Sequence, residues 1–199
     1  MDEKIESRKC SFRIAGPPKE SLGELQKCTK FSKRQIQVMY RTFKQDCPSG
    51  LLQEETFRDI FMRFFPYGNV NQYAHYVFKT FNQNRNEAIS FKDFLQWLSL
   101  LCHGSADEKL KWAFRLYDIN NDGYITRKEL SEILCAIYAL IGRRTYPLID
   151  ERTLSDHCDR TFQKLDANRD GVVTFEEFMA ICAQDEAIAR SLAILDTVI

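Results

Sequence analysis

Oxygen-bearing side chains recur at alternate positions in the segment that runs from Asp118 to Glu129. Asp, Asn and Asp hold its first, third and fifth positions, a glycine holds the sixth, and a glutamate holds the twelfth. A hard dication such as Ca²⁺ takes about six to eight oxygen ligands, so donors at this spacing can converge on one ion around the turn that the glycine permits. The predicted ligands are Asp118, Asn120, Asp122, the backbone carbonyl of Tyr124 and Glu129, with Thr126 acting through a water molecule.

The same spacing returns in the segment between Asp166 and Glu177, with a glycine again at the sixth position. A single segment of this kind could be a solvated acidic turn, but two at helix–loop–helix spacing are typical of EF-hands. The apolar eighth residues, Ile125 and Val173, predict that the two loops pair through a short β-ribbon. The ligands predicted for the second Ca²⁺ site are Asp166, Asn168, Asp170, the carbonyl of Val172 and Glu177, with Thr174 acting through water.

Two earlier helix–loop–helix units lack the donors that a calcium site needs. In the first unit, Cys47 and Pro48 occupy donor positions and Thr56 stands where the closing glutamate belongs, so we expect no ion there. The second unit keeps three asparagine oxygens, but Arg85 adds positive charge and the shorter Asp93 replaces the closing glutamate. Each of these changes weakens a Ca²⁺ site. We favour an empty second loop over weak Mg²⁺ binding at Asp93.

Four helix–loop–helix repeats predict an all-α fold with four EF-hands in two lobes. Leu52 and Ile89 hold the positions at which the two silent loops would pair, so we expect a β-ribbon in each lobe. The predicted units are a flexible tail over residues 1–30, an N-lobe over 31–101, a C-lobe over 106–185 and an amphipathic helix over 186–199. The apolar face of this extra C-terminal helix must pack on a lobe or on a partner.

Aromatic residues are more abundant in the N-lobe than a core of two silent hands requires. We expect the following side chains to form a groove for a target protein: Phe57, Ile60, Phe61, Phe64, Phe94, Trp97, Leu98 and Leu101. An amphipathic helix laid into such a groove is a common mode of recognition. Trp97, Phe61 and Phe64 are the anchor candidates, because buried aromatics dominate many interfaces. The alternative is that these side chains only pack against one another.

Charge and composition restrict the class of protein further. The chain has 28 basic and 28 acidic residues, and we recognise no basic stripe in the sequence, so we expect no nucleic-acid partner. No apolar run approaches the roughly 20 residues of a membrane span. Seven scattered cysteines without a CxxC pair predict a reduced, cytoplasmic protein. The three histidines lie apart and no nucleophile–base pairing is visible, so we predict no enzymatic activity.

The N-terminal sequence gives two expectations about targeting and modification. Its polar character does not match a secretory signal, and Asp2 excludes N-myristoylation, which needs glycine at that position. Cys10 lies beside Arg8 and Lys9 and is a candidate for palmitoylation, weighed against the simpler alternative of an exposed cysteine.

Residues from about 31 to 199 resemble the neuronal calcium sensor family, in which a Cys-Pro motif like that at Cys47 and Pro48 disables the first hand. Within that family the sequence is most similar to the voltage-gated potassium channel-interacting proteins, the group that also contains calsenilin. The segments that carry this likeness are Tyr40–Gly50, Tyr73–Phe78, Leu116–Asn120, Thr145–Pro147 and Arg190–Leu192. The second loop departs from an ion site further than this group leads us to expect.

The resemblance implies an auxiliary subunit of A-type potassium channels. Such a subunit holds the channel's N-terminal helix in its hydrophobic groove, aids surface delivery and slows inactivation. It would be cytoplasmic and recruited to the plasma membrane by its partner. Three alternatives stay open: a calcium buffer without a target, a calsenilin-like repressor that releases DNA when calcium binds, and a regulator of a kinase or phosphatase. The sequence also leaves homo-oligomerisation open.

Overall fold

The computed structural model describes residues 21–81, 88–141 and 151–185. These ranges contain nine helices and four three-residue strands. In chain order they are α1 (Leu22–Cys28), α2 (Lys33–Asp46), β1 (Leu51–Gln53), α3 (Glu54–Phe64), α4 (Asn71–Phe81), β2 (Ala88–Ser90), α5 (Phe91–His103), α6 (Ala106–Tyr117), β3 (Tyr124–Thr126), α7 (Arg127–Ile141), α8 (Glu151–Leu165), β4 (Val172–Thr174) and α9 (Phe175–Gln184).

Short β-ribbons join the loops in pairs, as the apolar eighth residues predict. In the antiparallel pair β1–β2, Leu52 lies opposite Ile89, and in β3–β4 Ile125 lies opposite Val173. All four side chains are buried, so one face of each ribbon packs on the core. The predicted fold class is therefore confirmed: helical EF-hand lobes with short β-ribbons. The C-terminal segment 186–199 lies outside the described residues.

Capping boxes fix the starts of several helices. Ser32 and Ser105 each accept a hydrogen bond from the amide three residues on, and the side chain at that third position accepts one from the serine amide in return. Such reciprocal bonds satisfy two amides that a helix start otherwise leaves free. A third box, formed by Ser21 and Glu24, begins α1.

Helix α1 lies within the segment that we predicted to be a flexible N-terminal tail. We expected residues 1–30 to be flexible, but residues 22–28 are helical and the side chain of Leu25 is fully buried. The physical reason is the capping box at Ser21 together with one apolar anchor in the core. Residues 1–20, which include Cys10, lie outside the described residues.

The two lobes meet where the loop between α3 and α4 reaches the end of α7. The amide of Asn69 donates a hydrogen bond of 2.8 Å to the carbonyl of Ala139, which belongs to the last turn of α7. A Cβ atom on Gly68 would lie 1.7 Å from the carbonyl oxygen of Leu140, so only glycine allows this approach. The Tyr76 hydroxyl also donates to Glu132 of α7 at 3.2 Å. We call the contact of Gly68 and Asn69 with Ala139 and Leu140 the interlobe contact.

No helix in the described ranges is long and apolar enough to cross a membrane.

Candidate ion loops and apolar groove

The third loop holds its carboxylates by hydrogen bonds from its own backbone. The amides of Asp122 and Gly123 donate to the two carboxylate oxygens of Asp118 at 3.1 and 3.0 Å. The closing residue Glu129 accepts from the Thr126 amide at 2.9 Å and from the Asn120 amide, on the far side of the loop, at 3.3 Å. The first and last predicted ligands are therefore both turned toward the loop.

The fourth loop repeats this network bond for bond. The amides of Asp170 and Gly171 donate to Asp166, each at 3.1 Å. Glu177 accepts from the Thr174 amide at 3.0 Å and from the Asn168 amide at 3.3 Å. Two loops far apart in sequence thus take the same conformation, which indicates that the shared spacing of residue types determines it.

Glycine is required at the sixth position of both loops. Gly123 and Gly171 each have a φ angle of 91°, in the left-handed region that side chains with a Cβ rarely adopt. The turn they make directs the amides of positions five and six at the first aspartate. The sequence-based argument for these glycines is therefore matched by the backbone.

Burial of their carboxylates favours binding of positive charge in these loops. Asp118, Glu129 and Asp166 are buried, and none of them forms an ion pair with a basic side chain in the part of the chain that the structure describes. Burial raises the pKa of Asp118 above its ordinary value, whereas hydrogen bonds from Thr174 lower the pKa of Glu177. A buried carboxylate without a basic partner is costly unless a cation or hydrogen bonds compensate it.

Each loop supplies three carboxylates to its predicted donor set. Within the described ranges, no group of three His, Cys, Asp or Glu side chains forms by itself a cluster that could hold a metal ion. The residue types, the loop conformation and the buried unpaired carboxylates fit a Ca²⁺ site, in which Asn oxygens and one backbone carbonyl complete the set.

In the first helix–loop–helix unit, the ammonium group of Lys44 on α2 contacts the loop backbone. Lys44 donates a hydrogen bond of 2.5 Å to the carbonyl of Pro48, and the Cys47 side chain is buried. That the first hand holds no ion stays a prediction. In the second hand, residues 82–87 lie outside the described residues. The Asp93 carboxylate accepts a hydrogen bond of 2.6 Å from Ser90 at the start of α5, so it is already engaged there.

An apolar groove with a volume of about 390 Å³ lies between α2, α3 and α5. Seven of the eight predicted groove residues line it, namely Phe57, Ile60, Phe61, Phe64, Phe94, Trp97 and Leu98. Leu101 does not line it and is instead a buried core residue, because it lies one turn beyond Leu98 toward the far end of α5. The prediction is wrong for this one residue.

The groove has a buried floor and an exposed rim. Phe57, Phe61 and Trp97 are almost fully buried, and the Phe57 ring contacts the other two rings at centroid distances of 4.8 and 5.9 Å. At the rim, Phe64 is 69% exposed and Val38 is 56% exposed. The alternative that these aromatics only pack together therefore describes the floor, whereas the rim presents apolar surface to solvent.

Helix α2 forms a groove wall that the sequence-based prediction missed. Val38, Met39, Thr42 and Phe43 face the groove, and so do Asp46 and Arg63, which form an ion pair of 3.1 Å between α2 and α3. The signal in the sequence was Val38, an exposed apolar residue on α2 that the predicted set of groove residues left out. Since the partner of this wall is distant in sequence, helical periodicity alone could not identify it.

Comparison with known protein families supports the assignment of the C-terminal half. Residues 107–183 match the family of EF-hand domain pairs. The matched range begins in α6, ends in α9 and includes both predicted ion loops. The match supports a calcium-binding EF-hand protein; EF-hand pairs are ordinarily binding modules rather than enzymes.

Proposed function

We propose that this protein is a calcium sensor that holds an amphipathic helix of a target protein in its N-lobe groove. The observation that carries the proposal is the combination of two matching ion loops with a separate apolar groove whose rim is open to solvent. A calcium buffer would need the loops but would have no use for an exposed apolar rim. We therefore favour a sensor over a buffer.

The ion-binding part of the proposal assigns one Ca²⁺ to each loop of the C-lobe. Ca²⁺ supplies positive charge that relieves the burial of unpaired carboxylates. In both loops the backbone amides that now satisfy the first aspartate also fix its direction toward the loop centre. Mg²⁺ at Asp93 stays a weaker proposal, because the other donors of that loop are neutral asparagines and Arg85 adds positive charge. The residues that would hold Ca²⁺ are Asp118, Asn120, Asp122, Tyr124, Thr126 and Glu129 in one loop, and Asp166, Asn168, Asp170, Val172, Thr174 and Glu177 in the other.

The target proposed for the groove is the cytoplasmic N-terminal helix of an A-type voltage-gated potassium channel. Its support is the family resemblance together with the shape and apolar lining of the groove. The protein would then be cytoplasmic, recruited to the plasma membrane through its partner, and would modulate gating and surface expression of the channel. A kinase or phosphatase regulator and a calsenilin-like repressor remain alternatives with the same ion sites.

The proposed switch runs through the helices that leave the ion loops. Glu129 lies in the first turn of α7 and Glu177 in the first turn of α9, so gathering these carboxylates on an ion would reorient both helices. The segment 186–199 would respond to α9, which precedes it, and we propose that it caps the groove in the absence of a target. This segment lies outside the described residues.

The test is isothermal titration of a peptide with the channel's N-terminal sequence into the full chain, with calcium and with chelator. Phe64→Ala should weaken binding by about tenfold or more, because it removes an exposed aromatic anchor at the rim without opening the core. Met62→Ala is the matched control, since Met62 is 47% exposed on the same helix but does not line the groove.

The outcomes separate the candidate functions. Submicromolar binding that Phe64→Ala weakens and Met62→Ala does not would support the channel subunit, and its dependence on calcium would distinguish a switch from a constitutive partner. Absence of binding in both conditions would contradict the channel proposal while leaving the ion sites untouched. Equal loss in both variants would contradict the assignment of the groove.

A further inference from the structure

The first long helix of the N-lobe carries an unbalanced row of positive charge. Residues 21–45 contain six Lys and Arg residues and one Glu, although the chain as a whole is neutral. Four of these cations, Lys33, Arg34, Arg41 and Lys44, lie on α2. At 3.6 residues per turn they fall within an arc of about 100° and extend over about 17 Å of the helix. We call this row the basic stripe; the expectation that the sequence has none is wrong.

Internal interactions do not neutralise the basic stripe. Lys33, Arg34 and Arg41 are exposed and form no ion pair within the described ranges, and the Lys44 ammonium bonds to a neutral carbonyl. The only acidic residue of α2 is Asp46, which is paired with Arg63 on the groove side of the helix. The positive potential of the stripe is therefore open to an anionic partner.

Helix stability does not account for these charges. Lys33 and Arg34 occupy the first turn of α2, which contains no acidic residue. A helix start carries partial positive charge, so cations there are unfavourable. In contrast, the first turns of α3, α6 and α9 each contain two acidic residues. The stripe therefore weakens the element that carries it.

The packing of α2 determines what kind of anionic partner fits. Its opposite face is buried through Ile36 and Phe43, and the Phe43 ring contacts Phe91 and Phe94 of α5 at centroid distances of 5.1 and 5.8 Å. Because α2 is packed along one side, only its outer face is open to a partner. The four cations lie within one arc of that outer face, so a planar anionic surface can contact them together.

Apolar surface beside the stripe also favours a membrane. Gly50 lies next to the Lys44 ammonium, and the following residue, Leu51, is 43% exposed. At an interface with lipid, basic side chains contact headgroups while a neighbouring apolar side chain enters the boundary with the acyl chains. A nucleic-acid backbone offers no comparable apolar layer. Clusters of about four or more Lys and Arg on a helix are typical of binding to anionic lipid.

We propose that the basic stripe of α2 docks this protein on an anionic membrane surface, such as a leaflet that contains phosphatidylserine. The docking uses neither the ion loops nor the groove, so it does not depend on the function proposed above. It requires no calcium, because the stripe is positively charged in every state of the loops. It weakens with salt, because exposed charges are screened over about 10 Å at 0.1 M ionic strength.

The experiment is co-sedimentation of the full chain with vesicles of phosphatidylcholine containing about one quarter phosphatidylserine. The triple variant Lys33→Gln, Arg34→Gln, Arg41→Gln should lower the partition coefficient on the order of a hundredfold, since each cation near such a surface contributes a factor of about five. The matched control removes three exposed cations elsewhere, with Lys79→Gln, Arg115→Gln and Arg152→Gln. This control should bind much more tightly than the stripe variant, and pure phosphatidylcholine vesicles should bind neither parent nor variant.

Circular dichroism spectra and calcium titrations of both triple variants should match those of the parent protein. A match shows that reduced vesicle binding results from lost charge and not from unfolding. Failure of the parent chain to bind the anionic vesicles at low salt would overturn the proposal, and so would equal binding by the stripe variant and its control. Tighter binding to a short DNA duplex than to the vesicles at the same salt would also overturn it, in favour of a nucleic-acid partner. Binding that requires calcium would contradict a role for the stripe alone.

Discussion

The closing glutamates of the two ion loops are held in place by hydrogen bonds from the chain itself. Glu129 and Glu177 each accept hydrogen bonds from a threonine and from an amide on the far side of the loop. The threonine and the far-side amide donate to different carboxylate oxygens, and a glutamine keeps only one of these two acceptors. Glutamine therefore removes the negative charge and one of the two sets of hydrogen bonds.

We predict that Glu129→Gln and Glu177→Gln each remove one of two tight calcium sites, with affinity at the altered loop lowered on the order of a hundredfold or more. Calorimetric titration with CaCl₂ measures this as a fall in stoichiometry from two to one. Glu176→Gln is the control, because Glu176 is an exposed neighbour that lies outside the predicted ligand set. Retention of two tight sites in both single variants would show that the ligand assignment is wrong.

Cysteine reactivity gives a second prediction at the scale of single residues. Burial raises the pKa of the Cys47 thiol to about 11 and that of Cys182 to about 12, whereas Cys28 and Cys102 are exposed. The thiolate is the reactive form, so iodoacetamide at pH 8 should modify Cys28 and Cys102 first. Mass spectrometry of proteolytic peptides measures the order. Early modification of Cys47 or Cys182 in the folded protein would contradict the described core.

At the scale of elements, helix starts and loop pairs follow from local sequence. Ser32 and Ser105 are identified as caps by a partner three residues on, and Ile125 and Val173 identify the ribbon by their place in the loops. Features that depend on tertiary packing were harder to predict. Helix α1 is only seven residues long and is fixed by one buried leucine, and the α2 wall of the groove faces partners distant in sequence.

The first turn of α2 allows stability and charge to be varied separately. Arg34→Glu should stabilise the protein by about 0.5–1 kcal/mol, because it places an acid at the positive end of the helix dipole. Arg41→Glu changes the charge equally but lies in the middle of the helix, so it should not give this gain. Thermal unfolding measures the difference, and both variants should reduce vesicle binding. Equal melting temperatures for the two variants would contradict the dipole argument.

At the scale of the whole molecule, the interlobe contact depends on a glycine. Gly68→Ala should destabilise the protein by about 1–3 kcal/mol, because the new methyl group meets the Leu140 carbonyl and the backbone must move apart. Gly23→Ala is a control with the same chemical change, since the nearest atom to its Cβ position is 3.9 Å away and alanine favours the helix. Urea unfolding measures both variants.

Hydrogen exchange provides a local readout of the same contact. In Gly68→Ala, the Asn69 amide should exchange faster, because its hydrogen bond to Ala139 is lost. Amides in the β3–β4 ribbon should keep their protection, since that pairing lies within the C-lobe. Unchanged exchange at Asn69 together with unchanged stability would show that the lobes do not meet at this point.

Helix α7 connects the third ion loop with the loop between α3 and α4, although the two loops are far apart in the sequence. It is 15 residues long, begins beside the third ion loop and ends against the loop that follows α3. That loop starts at Phe65, a residue that also lines the groove. A helix of this length is a rod of about 22 Å, so a tilt of about 10° around its midpoint moves each end by about 2 Å. Movement of α7 would thus link the proposed calcium loop at one end to the loop that carries Phe65 of the proposed groove at the other.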